Sequence, residues 1–399
     1  MTRDEYRAQR DLKERRRAAE RKKREAGSGV MDLPFLLLVL LLTAIGLTML
    51  FSASFPSAYA ESGDAAYYVK RQAIFALLGL GAMVAMGKID YHRLRGTPTL
   101  LMIISFCLLL LVVIPRVGVT VNNATRWLGI PGVFTFQPSE IAKLAVIVYF
   151  ANSISRKGKQ MENFRDGVVP YAVILGILAI LLMLEPHLSC TIIIMGIGIL
   201  MMVVGGMKRW LVALGFGGVG AAAFTFVKLV EAGILKYGAN RILMWHDPWL
   251  QYYNGGYQMA QSLISIGSGG LLGVGFGKGR QKFSFLPEEH NDFIFAIICE
   301  ELGLIGASII ILIFVLLILR GFWIALHARD RFGMLLVVGC MTQIALQTFL
   351  NMAVVTSLLP ATGISLPFFS YGGTALALQL FEMGIVLSVS RQIPAPRNG

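Results

Sequence analysis

The chain has 399 residues, 56% of them hydrophobic and 15% charged, with a formal net charge of +13. An ordinary soluble domain is about 25% charged; here the charges cluster and leave long stretches almost free of them, which excludes a soluble globular protein. The positive balance does not indicate nucleic acid as a partner, because the basic residues flank apolar stretches as the positive-inside rule of membrane proteins expects.

Residues 1–30 form a basic tail that includes Arg15-Arg16-Arg17 and Lys22-Lys23-Arg24. It is too long and too charged for a signal peptide, and the apolar stretch after it is too long for an h-region. It reads as a solvated cytoplasmic tail that sets topology, with a helix lying near anionic lipid or a partner's surface as the alternative. Apolar stretches then recur over 33–53, 69–88, 97–115, 138–154, 168–185, 188–206, 209–230, 292–320, 333–353 and 371–390. A bilayer core takes roughly 20 apolar residues per helix, and only helices and closed barrels satisfy their backbone groups in hydrocarbon. The short alternating segments of a barrel do not dominate. The pattern predicts an all-α, polytopic integral membrane domain of about ten transmembrane helices over 31–392, followed by a short cytoplasmic tail at 393–399.

The loops agree with a cytoplasmic N-terminus. Cytoplasmic loops would hold Lys88, Arg93 and Arg95, then Arg156, Lys157, Lys159 and Arg165, then Lys208 and Arg209, then Arg320, Arg329 and Arg331. The first outside loop holds Glu61 and Asp64, and the last, 354–370, has no charge. The large extracytoplasmic loop 231–291, between spans seven and eight, breaks the trend with Lys236, Arg241, Lys278, Arg280 and Lys282. Loops this long are largely exempt from the rule, and basic residues there suit an anionic substrate. The four cysteines, Cys107, Cys190, Cys299 and Cys340, fall in apolar spans without metal spacing and read as packing residues.

Loop 231–291 is the most unusual segment. Its run from Gly267 to Arg280 fails the P-loop pattern, since Leu272 stands where the first Gly should be and Gly279 where Ser or Thr should be. The glycines permit close backbone approach or a re-entrant turn, with plain flexibility as the alternative. Next comes Pro287-Glu288-Glu289-His290-Asn291-Asp292, a cluster of carboxylates and a histidine ahead of an apolar span. Asp292 falls near that helix's first turn, where the helix dipole favours an anion; an isolated acid there would be an N-cap or an interfacial charge. The grouping matches no zinc spacing, and a divalent ion is the other ligand it suggests.

Intramembrane acids are costly and usually functional or paired. Glu300 and Glu301 lie two turns below Asp292, Glu185 and His187 flank a short turn, and Glu140 and Lys143 stand at i and i+3, where they should pair. In the outside loop 116–137, Arg126-Trp127 offers a planar fork for phosphate and a ring for a sugar face or the interfacial belt.

Together these segments resemble the SEDS family (shape, elongation, division and sporulation; the FtsW, RodA and SpoVE group) over roughly 32–392. The resemblance is carried by Asn122 to Trp127, Gln137-Pro138-Ser139-Glu140 with Lys143, Gly256-Tyr257-Gln258 with Gln261-Ser262, the Gly-rich run, Gln281-Lys282, Leu286-Pro287-Glu288 through Phe295, Glu300-Glu301-Leu302-Gly303, and Leu359-Pro360-Ala361-Thr362-Gly363 with Ser370-Tyr371-Gly372-Gly373. The wording around Arg280 to Phe283 is closer to the division and sporulation branches. It departs from the family at Asn123 and Thr125, and at His187 where an Asp is usual.

The resemblance implies a peptidoglycan glycosyltransferase acting on lipid II, a disaccharide-pentapeptide on undecaprenyl pyrophosphate. It also implies a class B penicillin-binding protein as partner, other divisome membrane proteins nearby, and a place in the bacterial cell membrane at the division septum. The family's essential acid falls on Asp292, and Arg126, Trp127 and Lys143 match other family positions. In that chemistry Asp292 is the candidate general base. Arg126, Arg280, Lys282 or a divalent cation (Mg2+ or Mn2+) would stabilise the leaving pyrophosphate. Lys143, Glu288 and His290 complete the expected substrate site. Inversion by single displacement would follow from one base and no covalent nucleophile. Two alternatives remain open here: a transporter that flips lipid II, and a non-catalytic scaffold of the division site.

Overall fold

The computed structural model describes residues 29–114, 117–121, 124–130, 134–208, 210–211, 225, 228, 245–250, 252–254 and 256–393. Residues 1–28 of the basic tail, nearly all of the expected span 209–230, all of 231–244 and the end of the chain from 394 lie outside the described residues. Every other expected span is a helix: α1 Leu33–Ser62, α2 Tyr67–Lys88, α3 Pro98–Val113, α4 Pro138–Lys157, α5 Val169–Leu184 and α6 Leu188–Val204. After α7 (Tyr257–Gly269), which lies inside the large loop, come α8 Ile294–Leu326, α9 Arg331–Val355 and α10 Gly373–Arg391.

The helix starts follow local rules. The Asp32 carboxylate accepts the Phe35 N–H at 2.9 Å and Pro34 occupies the first turn of α1; Asp330 likewise accepts the Gly333 N–H at 2.9 Å ahead of α9. α1 ends on Gly63, whose φ of 72° suits glycine. Helices α1, α2, α8, α9 and α10 and the stretch Phe164–Leu184 are long and apolar enough to cross a bilayer, and α3 and α6 are shorter apolar helices. Exposed Leu77 and Leu78 on α2 and Ile309 and Leu312 on α8 give the outside of the bundle an apolar surface that water would not stabilise. The chain is a multi-pass membrane protein. Helices α9 and α10 are largely enclosed: α10 lies along α2, and α9 packs on α4, α6 and α8.

Both ends of the bundle are tied by polar contacts. At one end Arg320 of α8 grips Asp32 with Nη2 to Oδ2 at 2.6 Å, and Asp330 accepts the Tyr91 hydroxyl at 2.7 Å and Arg95 at 2.6 Å. At the other end the starts of α4, α6, α8 and α10 converge with the start of α2, and there the structure departs most from the expected loops. Residues over 116–137 include an antiparallel three-stranded meander, β1 Val119–Val121, β2 Ala124–Ile130 and β3 Phe134–Phe136, with Leu128 opposite Phe136. The expectation of an all-α chain is corrected to that extent.

The Gly-rich run forms a re-entrant joint with α8. Gly303, at φ 66° and ψ −171°, breaks that helix and frees backbone groups on both sides. Val274 and Gly275 donate to the Glu300 and Glu301 carbonyls at 2.9 and 3.1 Å, and the Leu304 and Ile305 N–H groups donate to Gly270 and Leu271 at 2.9 and 3.1 Å. All four freed groups are thereby satisfied within the protein, as hydrocarbon demands. A Cβ at Gly273 or Gly303 would collide with backbone across this joint. Close approach, not flexibility, is what these glycines provide. The four cysteines are free; Cys190, Cys299 and Cys340 are buried packing residues, whereas Cys107 faces outward.

Candidate active site

Asp292 is presented by a tight turn between Pro287 and α8. Glu288 adopts φ 57°, an uncommon conformation for a residue with a side chain, and its carbonyl accepts the Asn291 and Phe293 N–H groups at 3.1 and 3.3 Å. Asn351 of α9 then locks the turn: its Nδ2 donates to the carbonyls of Asp292 and Ile364, both at 2.7 Å. Ser370 adds a bond from its hydroxyl to the Asn291 carbonyl at 2.7 Å. Gln72 of α2 holds Ser370 and Gly372 through bonds of 3.1 Å each. The segment 359–372 thus wraps the acid, and a Cβ on Gly363 (φ 68°) would stand 3.1 Å from Asp292 Oδ2.

A cavity of about 690 Å³ opens at this end of the bundle. Asp292 and Glu288 line it together with Arg126, Trp127, Lys143 and His187, and Gln347 and Gln379 lie deeper in the same space. Burial pushes the Asp292 carboxyl up from 3.8 to about 6; the Glu288 charge adds to the rise, and Arg126 and His290 oppose it. Among the described residues this carboxylate accepts no hydrogen bond, so its proton affinity is set by its surroundings and not by a fixed donor.

Arg126 projects from β2 onto the turn between α5 and α6, donating from Nε to the Glu185 carbonyl at 3.3 Å and from Nη2 to the Pro186 carbonyl. Its cationic charge faces the cavity between the Asp292 turn and the 185–187 turn. Within that second turn, burial raises the Glu185 carboxyl to about 8 and lowers the His187 imidazole to about 3, with Arg126 and Lys143 deepening the latter. His187 is therefore a neutral wall of the site. Deeper in, Lys143 Nζ pairs with Glu140 Oε1 at 2.8 Å, the i, i+3 pair the spacing predicts, and both residues line the cavity.

Three expected site residues are placed elsewhere. Lys282 is fully buried, with Nζ 2.6 Å from Glu301 Oε1, 3.1 Å from Ser52 Oγ and 4.8 Å from the centre of the Phe55 ring. It fastens the re-entrant joint to α1 and does not line the cavity. Arg280 is exposed, and its contact with the joint is a backbone N–H donated to Glu300 Oε1 at 2.7 Å. His290 packs its ring against Tyr68 at 4.5 Å between centroids and lies behind the cavity lining. In the other direction, Arg71, Asn351, Gln347, Gln379 and Trp245 belong to the site or its support without having been singled out. Gln347, with Gln343 one turn before it, and Gln379, with Glu382 three residues on, sit in apolar spans. An amide or acid at that depth is itself a signal of function.

Among the described residues no group of three or more His, Cys, Asp or Glu side chains is arranged to hold a metal ion.

A family model described as a cell cycle protein, FtsW/RodA/SpoVE, matches residues 32–394. The probable peptidoglycan glycosyltransferase FtsW of Geobacter metallireducens is 40% identical over 363 residues, covering 91% of this chain and 95% of that protein. Stage V sporulation protein E of Bacillus subtilis is 43% identical over 361 residues, covering 90% and 97%. Among solved structures, a chain of a peptidoglycan synthase complex, studied for the coordination of polymerization and crosslinking, superposes with a TM-score of 0.74 at 26% identity, covering 90% of this chain and 98% of that one. The rod shape determining protein RodA of Thermus thermophilus gives 0.67 at 26% identity, covering 92% and 98%. Matched along nearly its whole described length, the chain belongs to the FtsW/RodA/SpoVE family of cell cycle proteins, the family its motifs resemble.

Proposed function

We propose that this chain is an inverting peptidoglycan glycosyltransferase that polymerises lipid II into glycan strands. The observation that carries the reading is one cavity that combines a high-affinity carboxylate, Asp292, with the cations Arg126 and Lys143. The reaction joins a sugar hydroxyl to an anomeric carbon and releases a lipid pyrophosphate. It needs a base near neutral pH and positive charge where the phosphates depart. Asp292 takes the hydroxyl proton, directly or through one water. Arg126 and Lys143 stabilise the departing phosphates, and Trp127 stacks on a sugar face. Glu288 keeps the proton affinity of Asp292 high, and His290 supports the turn from behind. A divalent cation, Mg2+ or Mn2+, belongs to the proposal as a companion of the pyrophosphate, since Mg2+ is commonly held by substrate phosphates with few protein ligands.

A class B penicillin-binding protein is the proposed partner, in keeping with the synthase complex among the structural neighbours. The loop charges support cytoplasmic termini, which put the Asp292 cavity on the outer face. The FtsW and SpoVE relatives support a place among septal or spore wall proteins. The cavity's position at one end of the bundle favours polymerisation over transport, because transporters bind near the midplane. The test is glycan formation from lipid II by the purified protein with its cognate class B partner. Long strands are expected; none, from intact substrate, would refute the reading.

A further inference from the structure

A second cavity, of about 410 Å³, lies between the end of α4 and the residues after α6 and is lined by Lys159, Glu162, Asn163, Phe164, Lys208 and Trp210. Helices α4 and α6 end at Lys157 and Val204, whereas their first turns carry Glu140 and Ser189 into the Asp292 cavity. The second cavity is therefore at the opposite membrane end from the first. Two ammonium groups face one carboxylate in its lining, and among the described residues neither Lys159 nor Lys208 forms an ion pair. The neighbouring Lys157 is already engaged, donating to the Asp166 carbonyl at 2.5 Å and lying 4.7 Å over the Tyr171 ring. Arg156 and Arg165 are exposed close by in sequence and add to the positive field.

The aromatic residues point to the nature of the ligand. Phe164 is 53% exposed and Trp210 60% exposed. The Trp210 ring, with its apolar body and indole N–H, suits the headgroup level of a bilayer, and the exposed Phe164 ring beside it adds an apolar face for a lipid chain. A free inorganic anion would use the lysines and leave the rings without a role. Basic pockets between transmembrane helices are a known form of anionic-lipid site.

We propose that this cavity binds the phosphate headgroup of an anionic phospholipid from the leaflet opposite the Asp292 cavity. Lys159 and Lys208 hold the phosphate, Asn163, whose Nδ2 already donates to Asp166 Oδ2 at 2.9 Å, offers its second amide hydrogen to the phosphate oxygens, and Phe164 and Trp210 pack on the glycerol and the upper acyl chain. The inference rests on the chain being a multi-pass membrane protein. It is independent of the glycosyltransferase reading, and its test does not measure glycan.

The full-length protein in neutral detergent is titrated with phosphatidylglycerol, and bound lipid is read by native mass spectrometry, with phosphatidylcholine as the zwitterionic probe. Lys159→Gln with Lys208→Gln should lose phosphatidylglycerol affinity roughly 30-fold, about fivefold for each lysine near a charged surface, with phosphatidylcholine binding unchanged. Lys88→Gln with Arg93→Gln, basic positions at the same membrane end but outside the cavity, should retain it. Thermal unfolding checks that both pairs fold. Wild-type affinity in the first pair, or an equal loss in the second, would overturn the site in favour of a diffuse basic belt. Displacement of the lipid by inorganic phosphate at matching affinity would overturn the lipid as its ligand.

Discussion

Replacing Asp292 with Asn separates chemistry from stability at one atom. The carboxyl is moved from 3.8 to about 6, chiefly by burial. At about 1.4 kcal/mol per pH unit, holding it ionised above pH 6 costs the folded state up to about 3 kcal/mol, and nearer 1–2 kcal/mol once water on its cavity side is allowed for. The folded state binds this proton more tightly than the unfolded state. Stability contributed by the neutral form is therefore present at low pH and lost as pH rises through about 6. Asp292→Asn removes that cost, which builds up between the unfolded value of 3.8 and about 6, so the variant should unfold at nearly the same temperature as wild type at about pH 4 and at an equal or higher one at pH 8. Its turnover of lipid II should fall roughly 10²–10⁴-fold, the range for a lost general base. Wild-type turnover should itself decline as pH drops below about 6, where the base is protonated. The assays are thermal unfolding in detergent at both pH values and glycan formation across the pH series. A variant that polymerises normally, or one that unfolds far below wild type at pH 8, would refute the reasoning.

Other consequences follow from the packing. Asn351→Ala leaves the Asp292 and Ile364 carbonyls without their donor, so it should cost about 1–3 kcal/mol in thermal unfolding and reduce turnover with Asp292 still present. Lys282→Met strands the buried Glu301 carboxylate and should cost about 3–5 kcal/mol; adding Glu301→Met should recover most of it, which the double-mutant cycle in unfolding would show. Gly273→Ala forces a side chain onto a φ of 79° against the Glu301 backbone and should cost at least about 1–3 kcal/mol. Gly267→Ala, in α7 with nothing within 4 Å, should be neutral or slightly stabilising by the same measurement.

What the sequence made legible was local. Apolar length alone places the expected spans that fall on described residues, and the i, i+3 spacing alone pairs Glu140 with Lys143, because both depend on neighbours along one helix. Asp292 stood out because three carboxylates and a histidine precede an apolar run, and the structure puts it at the cavity wall. Lys282 could not be placed that way. Its partner Glu301 is nineteen residues on and its second contact, Ser52, lies on α1, so only the packed bundle reveals that its charge is spent on the joint. Arg280 illustrates the same point, since a basic residue in a basic loop was read for its side chain while its backbone N–H does the holding. The meander over 119–136 escaped notice because its outer strands have three residues each and the middle one, Ala124–Ile130, does not alternate polar with apolar residues.

The measurement that bears most directly on the account is lipid II polymerisation by the purified chain with a class B partner whose transpeptidase has been blocked by a β-lactam, so that cross-linking cannot contribute product. The account predicts long uncross-linked glycan from the wild-type protein and none from folded Asp292→Asn. Absence of glycan from both, together with movement of intact lipid II across vesicles containing the chain alone, would contradict it and make the cavity a transport site.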